Sequence, residues 1–119
     1  MTNSFVTARV GADARGEPRR AWPRRAVVLV EGQPRQPART IDISISGLSL
    51  MTERPVPLNA RCGICISFLR GEVLSQIEVA GNAVYSILVG TKGYRTGIQF
   101  TQIDSATRAL ISQIVHHQE

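Results

Sequence analysis

The chain has 119 residues, of which 43% are hydrophobic and 19% charged, a balance that gives a single domain with a modest core and excludes wholesale disorder. Its net charge of +5 is unevenly placed: residues 1–25 hold six Arg against two acidic residues, or +4, while residues 26–119 hold eight basic and seven acidic residues, or +1. We find neither an apolar run long enough to cross a membrane nor the charge order of a signal peptide, so we expect a cytoplasmic protein without membrane insertion.

The pattern of apolar residues predicts a mainly β chain that ends in one helix. Residues 1–18 have no sustained period and are predicted to be a flexible arm that precedes a domain at 19–117. Strands are predicted at 25–31, 39–46, around Leu48 and Leu50, at 60–69, at 73–89 with a bulge near Gly81, and at 94–101. Asp104 or Ser105 can cap the helix that follows, and His116 and His117 stand at its end.

The segment 39–46 alternates strictly between apolar and polar side chains. Three isoleucines, at positions 41, 43 and 45, are expected to face the core. Asp42 and Ser44 then lie on the opposite, solvent-facing side, and Gly47 interrupts the alternation. A carboxylate and a hydroxyl on one exposed face can accept from the N–H groups of a guanine and donate to a phosphate. The alternative is an ordinary polar strand face followed by a turn glycine.

Two arginines with a spacing of four, Arg20 and Arg24, precede the first predicted strand in a segment that contains Pro23. A guanidinium can bind phosphate, guanine O6 and N7, or the face of a base. The alternative is a solvated basic arm. Trp22, between the two arginines, either stacks on a ligand or anchors the arm on the domain.

The two patterns together, Arg20-xxx-Arg24 and Asp42-x-Ser44-xx-Gly47, resemble the RxxxR and D/NxSxxG motifs of the PilZ domain family, receptors for the bacterial second messenger cyclic di-GMP. Both motifs match without a departure, in the family's order, and the resemblance covers roughly residues 18–117. It implies a six-stranded antiparallel β-barrel with a C-terminal α-helix.

The resemblance also implies the ligand and its site. Cyclic di-GMP would be bound by Arg20, Arg24, Asp42 and Ser44, with Gly47 shaping the loop. We expect Arg19 to add a third guanidinium that favours an intercalated ligand dimer, which carries about four phosphate charges. The arm, expected to be mobile over residues 1–25, would fold over the ligand and alter a surface seen by an unidentified protein effector.

Other signals predict no chemistry. Cys62 and Cys65 form a CxxC pattern, but in a strand this spacing sends the two sulfurs to opposite faces. No group of acidic, histidine or hydroxyl residues has catalytic spacing, so we expect neither an enzyme nor a cofactor or metal. Two further functions stay open: a protein-interaction adaptor without a ligand, and a small basic nucleic-acid-binding barrel. Scarce aromatic residues and a nearly neutral domain speak against DNA or RNA.

Overall fold

The computed structural model describes residues 17–116, in which antiparallel strands form a closed barrel followed by one helix. The elements are β1 (Arg20–Ala21), β2 (Arg25–Val30), β3 (Gln36–Ile43), β4 (Gly47–Thr52), β5 (Arg61–Arg70), β6 (Val73–Leu88), β7 (Tyr94–Gln102) and α1 (Ser105–His116). The predicted flexible arm at 1–18 lies, except for Glu17 and Pro18, outside the described residues, as does His117.

Six of the strands close the barrel. Their order is β2–β5–β6–β7–β4–β3, and β3 pairs again with β2. The short β1 is a seventh strand that pairs with the end of β3 alone. The predicted six-stranded barrel with a C-terminal helix is therefore confirmed, with β1 as an addition that the sequence pattern did not reveal.

Period-two alternation explains why these segments form strands around one core. In β5, within the strand predicted at 60–69, the buried side chains alternate as Cys62, Ile64, Ile66 and Phe68. The long strand β6 is continuous over 16 residues and carries register shifts near Gly81 and again near Val84, which confirms the predicted bulge. Such irregularities bend a strand, and a strand of this length must bend to remain part of a small closed barrel.

The second predicted strand departs from its alternation. A register shift lies between Thr40 and Asp42, and β3 ends at Ile43, three residues before the predicted end. Ile43 is fully buried, whereas Ile41 and Ile45 are only half-buried. The prediction of three equivalent core isoleucines was wrong because the bulge and the early end of β3 break the period on either side of Ile43.

The helix α1 begins at the residue after its cap. The carboxylate of Asp104 accepts a hydrogen bond from the Thr107 backbone N–H at 2.7 Å, and the Asp104 carbonyl accepts from the Arg108 N–H. These bonds, the Thr107 backbone N–H above all, hold the pKa of Asp104 below its ordinary value. On its inner face α1 buries Ile111, Ile114 and Val115, so the helix is part of the same core as the barrel.

Candidate functional site

Residues 19–24, which carry the arginine motif and are called the arginine segment below, are attached to strand β3. The Trp22 N–H donates to the Ile41 carbonyl at 2.9 Å, and the Arg24 N–H donates to the Thr40 hydroxyl at 2.7 Å. That hydroxyl in turn donates to the Trp22 carbonyl, and Thr40 is itself only 2% exposed. A buried threonine thus fixes the backbone between the two motif arginines. Nothing in the sequence around Thr40 indicates this function.

Trp22 anchors this segment. Trp22 is 4% exposed, and its ring packs edge-to-face with that of Phe68, with the ring centroids 5.3 Å apart. Of the two alternatives considered for Trp22, the structure shows the anchor, and it shows no exposed ring face that could stack on a base. The prediction that the arm is mobile as far as residue 25 is wrong for residues 20–24, because a buried tryptophan and backbone pairing with β3 hold them on the barrel.

Asp42 lies at the centre of a cluster of polar side chains. Its Oδ1 accepts from the Ser49 hydroxyl at 2.7 Å and from the Arg19 Nε at 3.1 Å. Its Oδ2 lies 3.6 Å from a guanidinium nitrogen of Arg95. Ser49 is almost fully buried, while the side chains of Asp42, Arg19 and Arg95 are 18%, 38% and 45% exposed. The carboxylate is therefore fixed from below by a hydroxyl and flanked by two cations at the surface.

Ser44 is not where the alternation predicts it. It is 0% exposed, because β3 has already ended and the chain turns inward at this residue. The Ser44 N–H and hydroxyl both donate to the Gly47 carbonyl, at 2.8 and 3.2 Å. The hydroxyl also accepts from Arg19 at 3.3 Å. The predicted exposed face of Asp42 and Ser44 is thus a half-buried carboxylate beside a buried hydroxyl, both in contact with Arg19.

Gly47 is required by the packing of the barrel. A Cβ atom at this position would lie 2.2 Å from the backbone carbonyl oxygen of Ile98 on the neighbouring strand β7. The φ angle of Gly47 is not in the left-handed region, so the need is for space rather than for an unusual backbone conformation. The glycine brings β7 close to the turn at Ser44, where the motif's hydroxyl is held.

Arg20 and Arg24 face a different side of their segment from Arg19. Arg20 donates to the Ile114 carbonyl near the end of α1 at 2.9 Å. The guanidinium carbon of Arg24 lies 5.1 Å from the centroid of the Trp22 ring, and Arg24 donates to the Pro23 carbonyl. Both arginines line a cavity of about 330 Å³ between the segment, the β5–β6 hairpin and α1, with Phe68 and Arg70 among the other lining residues.

The structure therefore brings together part of the predicted site. Arg19, Asp42, Ser44 and Gly47 form one connected group, whereas Arg20 and Arg24 lie on the α1 side of the same short segment. Neighbouring residues of an extended chain point to opposite sides, which explains why Arg19 and Arg20 diverge.

Sequence reasoning missed two residues that contact Asp42, namely Ser49 and Arg95. Ser49 is the direct cross-strand partner of Asp42, and Arg95 lies on β7, two residues before Gly97, which pairs with Ser49. A register derived for β3, β4 and β7 would have identified both of them. Neither residue stands out in the sequence, since contacts of this kind depend on pairing between distant segments.

The other predictions concern chemistry away from this cluster. Cys62 is buried and Cys65 half-buried, on opposite faces as expected, and burial raises the pKa of the Cys62 thiol. Within residues 17–116 no group of acidic, histidine and cysteine residues could hold a metal ion. In the same range, no helix has both the length and the apolar character needed to span a bilayer.

Comparison with known proteins identifies the class to which this barrel and its motifs belong. The sequence profile of the PilZ domain matches residues 13–117, and the chain therefore belongs to the PilZ domain family. The resemblance inferred from the two motifs is thereby confirmed. No match was found among curated protein sequences.

Solved structures show the same fold at low sequence identity. The PilZ domain of YcgR from Escherichia coli, determined with c-di-GMP, has a TM-score of 0.66 at 13% identity, over 85% of this chain and 88% of that one. The Bacillus subtilis inhibitor of motility MotI/DgrA has a TM-score of 0.70 at 13% identity over 85% of this chain, which spans only 48% of it. The PilZ domain of CeSA from a cellulose-synthesising bacterium has a TM-score of 0.57 at 14% identity, over 82% and 93%.

Proposed function

We propose that this PilZ domain is a non-catalytic receptor for cyclic di-GMP. The observation that carries the proposal is the fixed carboxylate of Asp42 beside the buried hydroxyl of Ser44. Both lie where β3 turns into β4, a corner of the barrel that Arg19 of the arginine segment contacts. PilZ domains are generally ligand-binding receptors rather than enzymes. The structural similarity to a YcgR domain determined with c-di-GMP supports the same ligand here. The protein would bind this messenger in the bacterial cytoplasm.

The corner suits a guanine base. Guanine offers N1–H and N2–H donors on one edge, and an ionised carboxylate is an acceptor with room for about four hydrogen bonds. Asp42 already uses two of these positions, for Ser49 and Arg19. A guanine that binds both carboxylate oxygens would replace the Arg19 contact, while the buried Ser49 keeps the carboxylate in place.

The phosphates would be bound by arginines of the segment. Cyclic di-GMP carries two phosphodiester charges, and a guanidinium can bind a phosphate through two parallel hydrogen bonds. If Arg20 turns to a phosphate, it gives up the Ile114 carbonyl at the end of α1. If Arg24 does so, it leaves the face of Trp22. Binding would in this way alter the contact between the segment and α1, and we propose this as the surface change that a protein effector detects.

Arg19 is proposed to bind a second ligand molecule. Once displaced from Asp42, its half-exposed guanidinium is available for a phosphate of an intercalated dimer. We expect Arg19→Ala to lower the stoichiometry measured by calorimetry from two ligands per chain toward one, with binding retained. An unchanged stoichiometry of two would contradict this function of Arg19.

The proposed site is tested by calorimetry on two variants, Asp42→Ala and Arg24→Ala. Each should weaken cyclic di-GMP binding at least about tenfold, because a lost charge-assisted hydrogen bond is worth about 1.5–3 kcal/mol. Arg61→Ala is the matched control, since this exposed arginine lies on β5, which pairs with neither β3 nor β4. Tight binding that survives both site substitutions would refute the assignment.

The same titration separates the competing functions. A chain that binds no cyclic di-GMP at high concentration, yet captures a protein partner, would be an adaptor. A chain that binds generic single-stranded nucleic acid with a steep salt dependence would be a nucleic-acid-binding barrel.

A further inference from the structure

Strand β7, which pairs with β4 and not with β3 itself, brings a second cation to Asp42 from a distant part of the sequence. Asp42 pairs with Ser49 on β4, and Ser49 pairs with Gly97 on β7. Arg95, two residues before Gly97, lies on the same outer face and extends to within 3.6 Å of the Asp42 Oδ2. Its position is set by the register of the barrel, whereas Arg19 belongs to the short segment outside the barrel wall.

The two groups have complementary hydrogen-bonding capacity at one point on the surface. The carboxylate of Asp42 is an acceptor, and the guanidinium of Arg95 has five N–H donors and no acceptor. With its side chain 45% exposed, Arg95 can turn toward a bound molecule without leaving a buried environment. The buried hydroxyl of Ser49 holds the Asp42 oxygen on the opposite side, so the orientation of the carboxylate relative to Arg95 is fixed.

Guanine presents the matching pattern on one edge, with two donors, N1–H and N2–H, beside the acceptor O6. Adenine presents an acceptor at N1 and a donor amino group where guanine has O6. A carboxylate alone matches the donors of guanine, and an adjacent guanidinium is needed to match O6. Ser49 binds Oδ1 of Asp42, and the other oxygen, Oδ2, has Arg95 beside it.

From this arrangement we propose that Arg95 is a specificity-determining residue, which donates to guanine O6 while Asp42 accepts from N1–H and N2–H. The proposal rests on the function proposed above and extends its site to a strand outside both sequence motifs. Ser49 is a positioning residue that acts through Asp42. In this role Arg95 selects guanine over adenine, and it does more than add a positive charge for phosphate.

The test is a comparison of Arg95→Ala with the unaltered chain, titrated with cyclic di-GMP, cyclic di-IMP and cyclic di-AMP. Hypoxanthine keeps O6 and N1–H but lacks the N2 amino group. Loss of Arg95 should weaken cyclic di-GMP and cyclic di-IMP by the same factor, about 10- to 100-fold. It should leave cyclic di-AMP binding no weaker, so that the preference for guanine over adenine falls by that factor. Arg61→Ala, which removes the same charge across the barrel, should change none of the three.

Three other results would overturn the proposal, each in a recognisable way. An equal loss for all three ligands would show that Arg95 contributes charge alone. Unchanged affinity for cyclic di-GMP would show that Arg95 makes no ligand contact. An unaltered chain that binds none of the dinucleotides would refute the proposed function itself, and this inference with it. Thermal melting of Arg95→Ala without ligand, expected to match that of the unaltered chain, identifies any loss that is due to unfolding.

Discussion

Single residues at the turn between β3 and β4 have structural functions that must be separated from the binding functions proposed for them. Gly47 belongs to the ligand motif, yet the contact that excludes a side chain there is with the Ile98 backbone of the barrel itself. A backbone carbonyl cannot move away as the end of a flexible side chain can. Part of what looks like a binding motif is therefore a requirement for closing β4 against β7.

This separation can be measured with two glycine substitutions. Gly47→Ala should lower the free energy of unfolding by about 1–3 kcal/mol, the usual cost of overpacking in a tight site. Gly63→Ala is the control, because a Cβ atom on Gly63 would meet nothing within 4 Å. Urea denaturation of both variants gives the comparison. Equal stability of Gly47→Ala and the unaltered chain would show that this contact does not restrict position 47.

At the scale of elements, α1 connects the arginine segment to the barrel. It packs against β1 and β6, and near its end the Ile114 carbonyl accepts from Arg20. A cation near the C-terminal end of a helix is favourable because the last carbonyls lack partners within the helix. The end that the proposed ligand disturbs is thus stabilised by a motif arginine, and the other end is fixed by Asp104.

The cap at Asp104 makes the stability of this helix depend on pH. Because its hydrogen bonds hold the pKa of Asp104 below the ordinary 3.8, the carboxylate stabilises the fold fully above that value. The contribution is lost as the pH falls through the lower pKa of the folded state. Asp104→Ala should therefore reduce stability at pH 7 and have a smaller effect at pH 2.

Urea denaturation at the two pH values measures this difference, with Asp104→Asn as the control that keeps a capping oxygen without an ionisable group. An Asp104→Ala variant destabilised equally at both pH values would contradict an ionic cap.

For the molecule as a whole, the sequence predicts the barrel better than it predicts the site. Alternation locates the strands because one face of each is buried, and the helix follows from Asp104 and the apolar positions near Ile111. The burial of Ser44 could not be predicted, because it depends on where β3 ends and how the turn to Gly47 folds inward. The contacts of Arg19 and Arg95 with Asp42 depend on strand register and on the path of the segment around Trp22. These arise from tertiary pairing, on which local patterns carry no information.

In a receptor of the proposed kind, the barrel and the arginine segment would have different functions. The barrel supplies a carboxylate in a fixed position, and a short segment anchored by Trp22 supplies arginines on both of its sides. The distribution of charge agrees with this division, since residues 26–119 are nearly neutral and most of the net positive charge lies in residues 1–25. A doubly charged ligand would thus be attracted by the segment and recognised by the barrel.

The most direct test is a calorimetric titration of the unaltered chain with cyclic di-GMP, repeated with cyclic di-AMP and GTP. The proposed function predicts saturable binding of cyclic di-GMP, micromolar or tighter, with at least about tenfold weaker binding of the other two nucleotides, as expected when a matched guanine edge and two phosphodiesters are both needed. The absence of saturable binding, or equal affinity for all three nucleotides, would contradict the proposal that this PilZ domain is a cyclic di-GMP receptor.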